Sequence, residues 1–151
     1  MKLHWKTNTF AELSTQQLFE ILRLRQEIFV VEQECAYPDI DDTDLVSTHL
    51  SGHNENNELI AYARLIQPGV SYDQASIGRI VVSPKARGQR LGETLMYKAL
   101  DEMETLFPGK PIKIGAQQHL EKFYNDLGFK TISEMFLEDG IPHIHMLLQH
   151  S

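Results

Sequence analysis

The sequence predicts an α/β fold: a central, mostly antiparallel twisted sheet flanked by helices. Three observations carry that expectation. Short apolar runs such as LIAYARLI and ASIGRIVVS are bounded by polar or proline-bearing turns, as strands are. One long segment repeats its apolar residues every three to four positions, as a helix does. The two patterns alternate along 151 residues with 42% hydrophobic content, the size of one domain with room for a core, so residues 1–151 read as a single domain.

Each element follows from local signals. Lys2 to Thr7 has the composition of a short strand. Ser14-Thr15-Gln16-Gln17 has the form of a capping box, in which a hydroxyl and a Gln three positions on satisfy each other's free N–H groups. The helix that follows carries Leu18, Ile21, Leu22, Ile28 and Phe29 on one stripe, with Arg25 on the same stripe, where a charge needs a partner. The polar cluster Asn54 to Asn57 separates His49-Leu50 from LIAYARLI and predicts two antiparallel strands. Ala75 to Ser83 is a further strand, closed by Pro84, which cannot donate to a ladder. Leu91, Leu95, Ala99, Met103 and Leu106 mark a helix over Gly88 to Leu106, ended by Pro108-Gly109. Pro111 to Gln117 is a short strand and His119 to Leu127 a short helix stopped by Gly128. Phe129 to Phe136 and His143 to Leu148 form a closing pair around Glu138-Asp139-Gly140.

Composition narrows the function. With 14 Lys+Arg against 21 Asp+Glu the net charge is -7, which argues against nucleic-acid binding, since phosphate neutralisation needs an extended basic surface. A single cysteine, Cys35, forbids an internal disulfide and fits a reducing compartment. The amino-terminal stretch lacks the apolar run of a signal peptide and no segment has the length of a membrane span, so a cytoplasmic location without membrane contact is expected. No metal is expected either. The acidic run PDIDDTD has Asp44 and Leu50 where a calcium loop counted from Asp39 needs Gly and Glu, and His49, His143 and His145 lack a tight spacing to a third ligand.

Against this acidic background, VVSPKARGQRLGETLM gathers Lys85, Arg87 and Arg90 between a strand and a helix. A helix start offers unpaired N–H groups and partial positive charge, which suit a pyrophosphate. Gly88 and Gly92 lack a Cβ and let a ligand approach the backbone, while Arg87 and Arg90 offer charge-assisted bonds. A Walker A loop is excluded, because Glu93-Thr94 follow Gly92 where Lys and a hydroxyl are required. A dinucleotide fingerprint lacks its third glycine. From these residues alone an anion site and a solvated basic helix start both remain open.

IVVSPKARGQRLG, an amphipathic helix, and then AQQHLEKFYNDLGF together resemble the Gcn5-related N-acetyltransferase (GNAT) superfamily. Its acyl-CoA signature is Arg or Gln, two residues, Gly, one residue, then Gly or Ala. Arg87 and Gly92 occupy the first and last places, and Arg90 stands where Gly is commonest. With LRLRQEIFVVEQECAYPDIDDTD and EDGIPHIHM added, four blocks are similar to the ElaA-type branch of that superfamily. The resemblance implies the GNAT fold and transfer of an acetyl group from acetyl-CoA to a primary amine of an unidentified small molecule or peptide, by direct attack in a ternary complex. It implies pantetheine along Ile80, Val81 and Val82, pyrophosphate at Arg87, Gly88, Gln89, Arg90, Leu91, Gly92 and Glu93, and Gln117 among the cofactor-binding residues. Tyr124, four residues before Gly128, takes the place of a thiolate-protonating tyrosine. A strand bulge is expected to turn the N–H of Val81 or Val82 toward the thioester carbonyl.

Other assignments stay open. Glu32, His49, His119, Glu134 and His143 are candidates for the general base. Arg25 and Arg79 need carboxylates, which Asp39, Asp41, Asp42 and Asp44 offer; alternatively they reach the surface. The same acidic loop reads either as a lure for a cationic amine or as a solvated loop. An exposed sheet edge or the last strand would support a homodimer. Two rival functions are carried: an acyl-homoserine-lactone-synthase-like acyltransferase, which LRQEIFVVEQ, the Asp cluster and ARLIQPG resemble although the chain is short for that group, and a CoA-binding regulatory module without turnover.

Overall fold

Two antiparallel sheets meet at one short joint and then part like an open book. The first has the order β1-β2-β3-β4, from His4–Thr9, Thr48–His53, Leu59–Ile66 and Ser76–Val82. In the second, β5 (Ile112–Gln117) and β6 (Lys130–Thr131) flank β8 (Ile141–Leu148), which also pairs with β7 (Phe136–Glu138). The computed structural model describes residues 1–149. The joint is parallel: Ala75 pairs with Ile112, and the Lys113 N–H donates to the Ala75 carbonyl at 2.8 Å. Beyond it, among the described residues, β4 and β5 share no ladder pairs. The expected central antiparallel sheet is present, divided into two halves.

Helices cover both faces. The capping box forms as the residues require: Ser14 Oγ accepts from the Gln17 N–H at 3.0 Å, and Gln17 Oε1 accepts from the Ser14 N–H at 2.8 Å. It starts α1 (Thr15–Arg25), which runs on into a π-helical segment, Gln26–Glu32, rather than one regular helix. The short α2 (Thr43–Val46) follows, and α3 (Leu91–Leu106) is the long helix. A one-turn stretch, Gln118–Leu120, leads into α4 (Glu121–Asp126), so the predicted helix over His119 to Leu127 divides in two.

Strand alternation sorts the core. Ala61, Ala63 and Leu65 of β3 face α3, where Leu95, Met96, Ala99 and Met103 pack against both sheets through Ile114, Ile144 and Met146. Tyr62 and Val81 point the other way and meet Ile21, Leu24 and Ile28 of the first helical arm. Each fully buried aliphatic side chain contributes roughly 1.5–3 kcal/mol, so the α3 face is the main glue between the two sheet halves. The first strand begins at His4 instead of Lys2, and α3 begins at Leu91 instead of Gly88. The second shift has a backbone cause: Gly88 (φ 85°) and Arg90 (φ 56°) are left-handed and lie outside any right-handed helix.

Candidate active site

The gap between β4 and β5 opens into a cleft of about 550 Å³. Its first wall is a bulge. Arg64 pairs with Gly78 and Tyr62 with Val81, so Arg79 and Ile80 together oppose Ala63. The extra residue turns the backbone from Gly78 to Ile80 toward the cleft, as bulges beside binding sites do. Arg79 sits at φ 50°, a left-handed conformation that costs a non-glycine residue roughly 1–2 kcal/mol and needs outside support.

That support is a closed ring of three guanidinium and three carboxylate groups. Arg79 Nε donates to Asp39 Oδ1 at 2.9 Å and its Nη2 to Asp41 Oδ2 at 3.3 Å. Arg64 Nη1 joins Asp41 Oδ1 at 2.7 Å to Asp44 Oδ1 at 3.0 Å. Arg25 closes the circle, with Nη1 on Asp44 Oδ1 at 2.7 Å and Nε on Asp39 Oδ2 at 3.0 Å. Arg25 is fully buried, and Asp39 and Asp44 nearly so. Burial works against both the Arg25 and the Asp44 charges, but their mutual hydrogen bonds and attraction outweigh it. The Arg25 guanidinium is held still more firmly protonated and the Asp44 carboxyl falls to about 2. The need of Arg25 and Arg79 for carboxylates is therefore met by Asp39, Asp41 and Asp44, while Asp42 stays exposed. Asp39 and Asp44 are thus neither solvated nor free to lure an amine.

The basic turn lies at the other end of β4. Ser83 Oγ accepts from the Lys85 N–H at 3.3 Å and starts a single turn, Pro84–Ala86. Gly88 and Arg90 then swing the chain through two left-handed residues into α3, whose start has no side-chain cap. The amides at the head of α3 therefore lack the partner a capping side chain supplies. A Cβ at Gly88 would have nothing within 4 Å, and one at Gly92 only Phe123 Cζ at 3.9 Å, so the protein leaves both approaches open. Arg87 is exposed and reaches Glu32 at 2.6 Å. Gln89, Arg90 and Glu93 are exposed and Leu91 is buried. Among the described residues Arg90 has no ion-pair partner.

Ile80, Gln117 and Tyr124 line the cleft together. Val81 does not: it is buried under α1, and Val82 is half-buried against the hydrophobic core. The bulge thus falls at Arg79 and Ile80, not at the expected Val81 or Val82. Gly128, at φ 102°, ends α4 and lets the Phe129 N–H return to the Tyr124 carbonyl at 3.1 Å, which fixes Tyr124 between the rings of Phe123 and Phe129. Among the described residues the Tyr124 hydroxyl has no hydrogen-bond partner. Burial pushes its phenol up to about 12.

The candidate bases separate cleanly. His49 is buried, donating from Nε2 to the Asp44 carbonyl at 2.9 Å and accepting at Nδ1 from the Tyr62 hydroxyl at 2.7 Å, so it is a structural, neutral imidazole. His119 and Glu134 are exposed and outside the cleft, and Glu32 holds Arg87. His143 alone of the five lines the cleft. Sequence reasoning missed Arg64, although a charge inside an otherwise apolar strand was the same signal that marked Arg79.

Comparison with known proteins agrees with this geometry. Residues 12–150 match the family described as an acetyltransferase (GNAT) domain. Protein ElaA of Escherichia coli strain K12 is 43% identical over 146 residues, spanning 95% of each chain, and its crystal structure superposes with a TM-score of 0.90 over 98% of this chain and 100% of that one. An acyl-CoA N-acyltransferase from Pseudomonas aeruginosa superposes with a TM-score of 0.92 at 42% identity, over 97% of this chain and 99% of that one. The AHL synthase LasI shares the fold alone, with a TM-score of 0.77 at 11% identity over 98% of this chain and 90% of the LasI chain. On sequence and fold alike, the chain belongs to the GNAT acetyltransferase family.

Proposed function

We propose that this protein transfers the acetyl group of acetyl-CoA to a primary amine by direct attack in a ternary complex, acting as one domain. The observation that carries the reading is the succession of the uncapped start of α3, the bulged strand that precedes it, and the cleft that the strand shares with the unpartnered Tyr124. Amides at Leu91 to Glu93, with Arg87 and Arg90, hold the diphosphate. The backbone from Ile80 to Val82 takes the pantetheine, with Gln117 across the gap.

In the reaction the amine nitrogen forms a bond to the thioester carbon, the C–S bond breaks, and the nitrogen loses a proton. The turned backbone at Arg79 and Ile80 supplies the electrostatic support that the carbonyl oxygen needs as negative charge grows on it. A phenol at about 12 is a weaker acid than a thiol near 8.5, so Tyr124 chiefly hydrogen-bonds the departing sulfur and orients it.

Calorimetry with CoA, paired with thiol release from acetyl-CoA over a panel of primary amines that includes 2-phenylethylamine, tests the reading. Binding with release is expected. Binding without release under any amine would instead support the regulatory module, and turnover only with long acyl carriers and S-adenosylmethionine would support the lactone-synthase reading. Tyr124→Phe is expected to keep CoA affinity and lose transfer.

A further inference from the structure

The antiparallel register puts Gln117 opposite His143 and Gly115 opposite His145, so these four residues share one face of the second sheet. Tyr72 lies over that face, its hydroxyl 3.1 Å from where a Gly115 Cβ would stand, and Gln33 meets Gln117 at 3.4 Å. Ala116 and Ile114 point to the opposite, α3-facing core. The cleft therefore has a second side, away from α3 and α4, which an acceptor can enter without crossing the long helix.

On that side, His143 and Glu138 stand in an arrangement incomplete as it is. His143 Nδ1 lies 2.7 Å from the Ile141 carbonyl, which can only accept, so Nδ1 carries the proton and a neutral ring presents a lone pair at Nε2. Glu138 Oε2 stands 3.4 Å from that Nε2. Two acceptors then face one another, with Glu138 60% exposed, and a group carrying two or more donors satisfies both. His143 is 8% exposed and its ring stacks on Phe136, so it cannot turn away to water. A primary ammonium, with three donors on one nitrogen, fits the demand of both groups.

Resting on the acetyl-transfer reading above, we propose that Glu138 and His143 are the acceptor's binding and proton-accepting pair, selecting a primary amine that arrives as its ammonium ion. Glu138 holds the ammonium, and His143 Nε2 takes one of its protons. The freed lone pair forms the C–N bond and gives a tetrahedral adduct, whose collapse breaks the C–S bond. The second nitrogen-bound proton leaves as the tetrahedral adduct collapses, and one proton ends on the thiol. Phe29, Tyr37 and Tyr72 wall the same cleft and favour an amine with an apolar or aromatic body.

Other ionisable groups face His143 from each neighbouring element. His145 shares β8, Asp139 stands in the turn after β7, and Cys35 belongs to the segment that crosses to this hairpin, its Sγ 3.6 Å from the Asp139 carbonyl. Lys113 of β5 packs its ammonium on the Tyr72 ring, and burial pushes the Tyr72 phenol up. For His145, burial first and then Lys113 push its imidazole down.

A matched pair of acceptors separates this role from a structural one: 2-phenylethylamine, an ammonium at neutral pH, and 2,2-difluoro-2-phenylethylamine, whose fluorines leave it largely unprotonated. His143→Gln is expected to lower kcat with the first by about a hundredfold to ten-thousandfold, to spare the second to within about tenfold, and to flatten the acid limb of the pH–rate profile. Glu138→Gln is expected to raise KM for the first by about tenfold to a hundredfold. Calorimetric affinity for acetyl-CoA should be unchanged in both. Equal losses with the two amines, or none, would overturn the pair while leaving the donor site standing. Acetyl-CoA binding by the wild type with no thiol release from either amine would overturn acetyl transfer and the pair together. If acetyl-CoA does not bind at all, imidazole nitrogen NMR decides the pair alone: 2-phenylethylammonium must shift the His143 ring signals in the wild type and not in Glu138→Gln.

Discussion

Arg90 shows how one residue's backbone angle carries meaning that its side chain hides. At φ 56° it occupies a conformation glycine adopts freely, which is why the family's signature favours Gly there. Here the strain is accepted and a guanidinium gained at the mouth of the turn. Arg90→Gly is expected to leave stability within about 1 kcal/mol of the wild type and to weaken CoA binding, since backbone strain and one cation are removed together. Urea melts and calorimetry read the two effects separately. At Gly88 the opposite holds: φ 85° and open space mean that Gly88→Ala meets no clash yet is strained, and a loss of roughly 1–2 kcal/mol is expected in the same melts. Much of this turn was legible beforehand, because cations, glycines and a helix start stand next to one another in the chain. The left-handed angle of Arg90 was not, since no residue type announces it.

At the scale of elements, β4 is bent at the bulge and held there by the ring of Arg25, Arg64, Arg79, Asp39, Asp41 and Asp44, which ties together α1, α2, β3, β4 and the loop between the first two helices. Removing one charge leaves each of its two buried neighbours with a single partner where it had two. Asp44→Asn is expected to destabilise by about 3–5 kcal/mol in urea unfolding, whereas exposed Asp42→Asn should change stability by less than about 0.5 kcal/mol. A partial loss of transfer activity should accompany Asp39→Asn, because Asp39 is a direct partner of Arg79, which holds Ile80 toward the cleft. The charges that needed partners were visible in the apolar stripes carrying Arg25 and Arg79. Which aspartates answered them was not, because that depends on how the π-helical segment shifts the chain before the acidic loop. The helical repeat of Leu91 to Leu106 was plain for the opposite reason: its partners lie within one face of one helix, and spacing alone defines that face.

For the whole molecule, acid is the weak side. Burial first of all pushes the His49 imidazole below its ordinary 6.5, so the unfolded chain takes up a proton that the folded chain resists. That contribution is present above pH 6.5 and declines as pH falls. Asp44, at about 2 against an ordinary 3.8, adds stability above pH 3.8 that is lost on further acidification toward 2. Tyr124 acts at the other extreme: its phenol stays neutral in the fold up to about 12, while the unfolded chain ionises from about 10, so stability falls through that window. Urea midpoints measured against pH should decline in two acid steps, and His49→Asn should shrink the step nearest neutrality, to which His53 and His145 also contribute. Most strand positions in the two sheet halves followed from patterning. Their parting did not, because it arises from the absence of pairing between β4 and β5, and no single residue encodes an absence.

The joint at Ala75 and Ile112 has one more consequence. Past it, the inward edges of β4 and β5 share no ladder pairs, so on the proposed reading a slender chain bearing amide groups would find hydrogen-bond partners on both. Such an occupant would work as a keystone as well as a reagent. Backbone hydrogens along those two edges should exchange with solvent more slowly once CoA is added, although neither strand has moved toward the other.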